Sequence, residues 1–317
     1  GRLHLGNYFG ALINWVRLQD EYPCIYAIVD VHSLTTMQGE ETKQIQPNVF
    51  EMAVDWLAAG LDPERSIIFV QSHVPEVLTL HALLSMSTPL GWLLRVPTFK
   101  EKVRQMGEDE EHVSYGLVGY PVLQAADVIL YKADKVPVGK DQVPHIEIMR
   151  EIARRFNRLY GDTFPEPAPL LTETPTILGT DGANKMSKSL DNHIELSASE
   201  EETTKRVRGM VTDPQRARLT DPGRPEVCNV FSMHKLFSPN KADEIYRLCT
   251  TAGIGCVDDK VQLAEGINDY LRDFRERRAE LAANPERVRE MLAEGAQQAQ
   301  AIARETIAEV YQRMGLR

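Results

Sequence analysis

Cysteine is scarce in this chain, with four in 317 residues. That is too few for a disulfide scaffold and points to a reducing, cytoplasmic setting. No apolar run approaches the ~20 residues that a membrane-spanning helix needs, so no membrane association is expected. An excess of positive charge is also lacking. Asp and Glu number 46 against 36 Lys and Arg, giving a net charge of −10. This excludes wholesale electrostatic binding of nucleic acid but leaves room for a local basic face. Internal repeats and low-complexity tracts are absent too. What is present is 43% hydrophobic sequence, over a length that suits one large domain or two smaller ones.

The first part alternates helix and strand patterns. "NYFGALINWVRLQD" places Phe9, Leu12, Trp15 and Val16 at helical spacing, with Asn7 as a cap. "CIYAIVD" and "RSIIFVQS" are apolar runs of strand length, as expected for strands covered on both faces. Between them, Ile45, Val49, Met52, Ala53, Trp56 and Leu57 keep helical period, and Gly60 suits the helix C-terminus. The simplest architecture is α/β, a Rossmann-like parallel sheet with right-handed crossovers. In such sheets ligands bind beyond the carboxyl ends of the strands. Priority therefore falls on Asp30 and His32, then Gln71 and Ser72, then Gly139 and Asp141. No strand pattern precedes "GRLHLGN", although such a motif normally follows a strand, so a preceding segment is expected. From Ser199 onward the pattern is helical. Ser199 and Glu202 make a capping box, amphipathic stretches run over 241–250, 260–283 and 285–314, and Asn284–Pro285 is a break. The expected division is a Rossmann-like α/β domain over 1–196, onto which a tail helix at 291–317 packs, and a helical domain over 197–290.

Several segments carry chemistry. "LHLGNY" sets His4 and Asn7 around Gly6 at a helix start, where free N–H groups favour phosphate and the two side chains can donate to its oxygens. In "KVPVGKDQ", Val136 to Val138 end a strand, Gly139 allows a tight exit, and Asp141 is expected to cap the next helix, leaving Gln142 where the sheet opens. In "GYPVLQAADVILY", Pro121 suits a first helical turn. Gln124 and Asp127 then share one face, with Tyr120 just ahead. A carboxylate on so apolar a helix is costly to bury unless a donor meets it. It is either solvated, or it is the acceptor of a largely apolar pocket. "NKMSKSLDN" offers Lys185 and Lys188 around Met186 and Ser187, in a segment too polar for core. Two ammonium groups there could clamp a polyphosphate as its charge shifts to a leaving group. Lysine composition alone also allows an ordinary surface loop.

The two outer motifs carry a resemblance. His4-Leu5-Gly6-Asn7 resembles the HIGH motif, and Lys185-Met186-Ser187-Lys188-Ser189 is similar to the KMSKS motif, of class I aminoacyl-tRNA synthetases. Within that class, "GNYFGAL", "IVDVHSLT", "FKEK", "YPVLQAADVILY", "VPVGKDQ" and "KMSKSLDN" resemble the bacterial tryptophanyl-tRNA synthetases over nearly the whole chain. The resemblance implies a site for ATP at Gly6, Asn7, Gly139, Asp141, Gln142, Lys185, Met186, Ser187 and Lys188. It implies catalytic roles for His4, Asn7, Lys102, Lys185 and Lys188, with Mg²⁺ bridging the phosphates and no metal ligand from the protein. A tryptophan pocket would be formed by His32, Tyr120, Gln124, Asp127, Val136, Val138 and Gln142, with Asp127 accepting the indole N–H. The partners implied are L-tryptophan, ATP, tRNA(Trp) and a second copy of the chain.

The departures matter as well. Gln124 stands where many members carry methionine, and "YPxxQxxD" is also similar to tyrosyl enzymes. Cys228, Cys249 and Cys256 resemble an iron–sulfur pattern of some tryptophanyl enzymes, but the fourth position is Asp259, and a cluster generally wants four thiolates. Buried reduced cysteines are the expectation. "KRVRG", "RAR" and "RDFRERR" concentrate arginine in the helical part, a local basic face suited to tRNA. Competing readings are a tyrosyl-tRNA synthetase, a small-molecule nucleotidyltransferase, and a synthetase-like paralogue that binds without charging tRNA.

Overall fold

The computed structural model describes residues 2–96, 99–100, 103–104, 112–171 and 177–317. The chain opens with a short helix α1 (Leu5–Asn7), a π-turn (Tyr8–Leu12) and α2 (Ile13–Leu18). Helix therefore begins ahead of Asn7, which caps nothing downstream; its Oδ1 instead accepts His4 N–H at 3.1 Å. Strand β1 (Cys24–Ile28), α3 (Asp30–Ser33), α4 (Ile45–Ala59) and β2 (Ser66–Val70) follow, with β1 and β2 parallel and Ile28 opposite Val70. Next come α5 (Glu76–Ser85), α6 (Leu90–Leu93), α7 (Tyr115–Ile129), β3 (Lys135–Val138), α8 (Val143–Tyr160) and β4 (Ala168–Leu171). Strands β3 and β4 form a second parallel pair, so the described strands make two parallel pairs of a Rossmann-like α/β fold.

Side chains alternate along β1 and β2, as the two-residue strand period requires. Ile28, Ile68 and Val70 enter one core with α4, while Ile25, Ile67 and Phe69 face a second core built with α5, α7 and α8. Both faces are thus covered. Gly60 ends α4 at φ 112°, a left-handed conformation that glycine adopts without strain, and its N–H donates to Leu57 O at 3.1 Å.

Helix α7 departs from the sequence expectation. Pro121 does not open it but sits in its interior. The start lies at Ser114, whose Oγ accepts Leu117 N–H at 3.2 Å. Proline removes one helical hydrogen bond there, and burial of Leu117, Pro121, Val122, Ala125 and Ile129 outweighs that loss. The glycines at 116 and 119 hide the upstream turns from a reading of periodicity.

The remaining elements are α9 (Glu200–Arg208), α10 (Asn229–Phe237), α11 (Ala242–Thr250), α12 (Cys256–Ala283) and α13 (Pro285–Arg313). The Ser199–Glu202 box is formed in both directions, and α12 gives way to α13 at Asn284–Pro285. Helix α13 runs along β2, contributing Val288 and Leu292 to one core and Ala299, Ala303 and Val310 to the other. Among the described residues, no helix is long and apolar enough to cross a membrane.

The contact of α13 with β2 depends on one missing side chain. A Cβ at Gly295 would lie 2.0 Å from Ile68 O, which belongs to strand backbone and cannot yield. Gly295→Ala is therefore expected to cost about 1–3 kcal/mol, as overpacking of a filled core does. Gly91→Ala, whose Cβ would meet nothing within 4 Å, serves as the control. Thermal unfolding of both variants checks this, and equal midpoints would contradict it.

Candidate active site

Two segments some 190 residues apart are laid side by side by backbone pairing. Leu5 N–H donates to Ile194 O at 3.0 Å and Leu196 N–H to Leu3 O at 2.9 Å, with His4 opposite Glu195. The stretch just after the lysine turn therefore lies against "LHLGN". Met186, expected in a segment too polar for core, is buried in one cluster with Leu5 and Ile194. Gly6 makes room for it: a Cβ there would lie 3.0 Å from the His4 ring and 3.2 Å from Met186 Cβ.

The turn itself is braced from within. Asn192, also buried, accepts Ser187 N–H at 2.7 Å and donates to Asp181 Oδ2 at 2.9 Å and Lys185 O at 3.3 Å. Asp181 in turn accepts from the Asn184 side chain, which with the Asn192 side chain and the Ala183 and Asn184 amides holds its carboxyl well below the usual range. Lys185 and Lys188 remain exposed, and neither is ion-paired with a described residue. Their charge is felt nonetheless. Burial first, then the fields of His193, Lys188 and Lys185, lower the His4 imidazole to about 4. His4 is thus neutral at pH 7, a donor through one ring N–H, beside two unpaired ammonium groups.

The second cluster surrounds Asp127. His32 Nε2 lies 2.7 Å from Asp127 Oδ2, and Gln71 Nε2 donates to Oδ1 at 2.6 Å. Gln71 Oε1 accepts Val31 N–H, while Asp30 takes the Ser72 amide and hydroxyl at 3.0 and 2.6 Å. The ends of β1 and β2 are thereby locked together under the carboxylate. A carboxylate offers about four acceptor positions, so these bonds leave capacity for a ligand N–H. The Tyr120 ring packs edge-on to His32 at 4.5 Å, and burial followed by the Asp127 charge raises its phenol. Gln124 Oε1 is buried with no hydrogen-bond partner among the described residues. His81, which the sequence did not flag, has its imidazole pushed down by burial and then by His32. It reaches the cluster because Gly119 has no side chain (a Cβ would lie 3.4 Å from its ring). Gln71 was flagged only as a polar residue after a strand. Nothing in a linear sequence marks either as a neighbour of Asp127.

The third cluster corrects an expectation. Asp141 does not cap α8: Gln142 occupies the cap position without a side-chain bond, and its Nε2 donates instead to Asp141 Oδ2 at 2.7 Å. An intervening 3₁₀ turn, Lys140–Gln142, displaces Asp141 from the helix start. A Cβ at Gly139 would lie 2.7 Å from Asp141 Oδ1, so a side chain there would turn that carboxylate aside. Val136 and Val138 are half-buried on β3 and pack on the core shared with α7 and α8. Lys102 lies outside the described residues.

The arginine-rich stretches are largely occupied. Arg278 pairs with Asp55 and Glu51, Arg277 donates to Ala58 O, and Arg275 donates to Asn268 and Thr203. Much of "RDFRERR" is therefore internal bracing, while Lys205, Arg208 and Arg218 stay exposed. Arg216 donates to Cys249 and Cys256 Sγ at 3.9 and 3.8 Å and to Leu219 and Ile254 carbonyls. Among the described residues no group of His, Cys, Asp and Glu is arranged to hold a metal.

The His4 environment makes a prediction. The unfolded chain takes up a proton near pH 6.5 that the folded state refuses until about pH 4. Acid in that window therefore destabilises the fold, and above it His4 contributes no pH dependence. An NMR titration should show the His4 ring neutral down to about pH 4, and a midpoint near 6.5 would contradict this. Replacing both lysines should raise the midpoint only in part, because burial is the larger cause.

The tRNA synthetases class I (W and Y) family model matches residues 1–272. Among similar curated proteins, the tryptophan–tRNA ligase of Deinococcus radiodurans is 45% identical, covering 99% of this chain and 96% of that protein. That of Aquifex aeolicus is 41% identical over 100% and 97%. A crystal structure of the Campylobacter jejuni tryptophanyl-tRNA synthetase with ADP and tryptophan superposes with a TM-score of 0.91 at 36% identity, covering 99% of this chain and 97% of that one. With its paired segments, its acceptor slot and these matches together, the chain belongs to the class I tRNA synthetases of the W and Y family.

Proposed function

We propose that the chain is a tryptophan–tRNA ligase. It joins L-tryptophan to ATP, giving tryptophanyl-adenylate and pyrophosphate, then passes the aminoacyl group to the terminal adenosine of tRNA(Trp). The observation that carries this reading is the packing of Met186 on Gly6, which sets two unpaired lysines beside a neutral histidine. The tryptophan carboxylate attacks the α-phosphorus, forming a new P–O bond as the bond to pyrophosphate breaks. Negative charge grows on the leaving group, where Lys185 and Lys188 meet it electrostatically and His4 and Asn7 donate hydrogen bonds. Lys102 would serve the same phosphates, and Mg²⁺ entering with ATP would supply further positive charge there. Gly6, Gly139, Asp141, Gln142, Met186 and Ser187 shape the nucleotide's seat. No residue need act as a nucleophile; positioning supplies much of the rate. In the second step the ribose 2′-hydroxyl attacks the acyl carbon and AMP leaves.

Asp127 accepts the indole N–H in this reading, held in place by His32 and Gln71. Tyr120, Gln124, Val136 and Val138 wall the slot, and Gln142 meets the amino group. The names of the relatives favour tryptophan over tyrosine, although the Gln124–Asp127 pair keeps a polar slot in which a phenol could be read. We assign residues 1–196 and the tail helix to the catalytic domain, and 197–290 to anticodon binding, with Lys205, Arg208 and Arg218 available for phosphate. A cytoplasmic homodimer completes the proposal. Leu78 on α5, Met86 just beyond its end, Leu90 on α6 and Tyr115 on α7 are exposed, an apolar surface suited to a second copy.

Amino-acid-dependent pyrophosphate exchange tests the reading. Tryptophan should support exchange and tyrosine should not. Lys185→Ala/Lys188→Ala should lower kcat by about a hundredfold or more, the scale of losing charge stabilisation at a transition state. Exchange with tyrosine alone would transfer the chain to the tyrosyl branch.

A further inference from the structure

Two arms leave one pair of helices and reach both halves of the nucleotide site. Helices α9 and α12 are tied to each other by Arg275, whose Nη2 donates to Thr203 Oγ1 at 2.8 Å. From α9, Arg206 grips the end of the lysine turn. Its Nη1 donates to the Asp191 carbonyl at 2.9 Å and its Nη2 to Asp191 Oδ1 at 2.7 Å. Asp191 sits at φ 48°, a left-handed conformation uncommon for a residue with a side chain, and its N–H closes the turn onto Lys188 O at 3.0 Å. The arginine fork therefore fixes the residue that directs the second ammonium group.

From α12, Arg278 reaches the opposite segment. Its Nε donates to Asp55 Oδ1 at 2.8 Å, and its Nη2 pairs with Glu51. Asp55 is fully buried on α4, and its other oxygen accepts the Leu3 amide at 2.9 Å, one residue before His4. On the far side of Leu3, Arg2 bridges Glu51 at 3.2 Å and Glu195 at 3.6 Å. A buried carboxylate with two such donors holds the backbone in one place, because leaving it unpaired is strongly unfavourable.

We propose that Arg206 and Arg278 are positioning residues of amino-acid activation: through them the α9–α12 pair sets the spacing between His4 and Lys188. The helical part then contributes to the first half-reaction before any tRNA is bound. This rests on the function proposed above and adds to it the frame that aligns its phosphate-binding groups.

The test is pyrophosphate exchange without tRNA. Arg206 and Asp191 are 41% and 78% exposed, and pairs this open to solvent add little to stability, so their variants should fold as the parent does. Arg206→Ala is expected to lower kcat tenfold to a hundredfold, roughly the effect of a misplacement near 1 Å, with KM for tryptophan unchanged. Arg206→Lys keeps the charge but not the two-pronged grip, and should recover only a fraction of the loss. Combining Arg206→Ala with Asp191→Asn should do no further harm, since both act through one contact. Arg278→Lys should reproduce the kcat loss while sparing KM for tryptophan. Parental kcat in Arg206→Ala, or full recovery by lysine, would overturn this proposal and leave the functional reading intact. Absence of tryptophan-dependent exchange in the parent would overturn both.

Discussion

The seating of Met186 on Gly6 is the contact on which the rest of the site depends. A polar turn with exposed ammonium groups has little reason to stay in one place, because its charges are best solvated in water. One thioether side chain, buried with Leu5 and Ile194, supplies that reason. Burying a methionine fully is worth about 1.5–3 kcal/mol, enough to set a position for the turn without locking it. Glycine at residue 6 is the other half of the same contact, since any larger residue would displace either the methionine or the histidine ring.

The two substrate-facing clusters are electrostatic opposites. Around Asp127 the polar groups are mostly satisfied from within: histidine and glutamine hold the carboxylate, and the strand ends hold the glutamine. Such a slot is rigid and can discriminate by the one acceptor direction left open. Around His4 the balance is reversed. A neutral imidazole and two unpaired lysines lie together, and an incoming polyphosphate supplies the charge they lack. In the function proposed above, the acceptor slot selects the amino acid and the unspent positive charge drives the displacement.

Much of this was legible in the sequence. Apolar runs marked β1 and β2, the Ser199 box and Asn284–Pro285 marked helix ends, and the two outer motifs marked segments that the fold brings side by side. What escaped was long-range or counter to local signals. Pro121 looked like a helix start because its intrinsic preference is for the first turn, yet burial carries α7 through it. Asp141 had the chemistry of a cap but stands one residue ahead of it, inside a 3₁₀ turn. The polarity of the lysine turn hid the burial of Met186, since composition averages over a single inward side chain. The "RDFRERR" run read as a free basic face, but arginine neutralised by a carboxylate 223 positions away looks the same in a sequence as arginine facing solvent. His81 and Gln71 join Asp127 only through tertiary packing, which no spacing encodes.

The most direct test of the central contact is Gly6→Ala, in which the added methyl group lies 3.2 Å from Met186 Cβ and 3.0 Å from the His4 ring. Calorimetric titration with a non-hydrolysable ATP analogue should show affinity reduced by about tenfold or more, equivalent to about 1.4 kcal/mol, while thermal stability stays close to the parent. An ATP affinity indistinguishable from that of the parent would contradict the claim that this packing assembles the site.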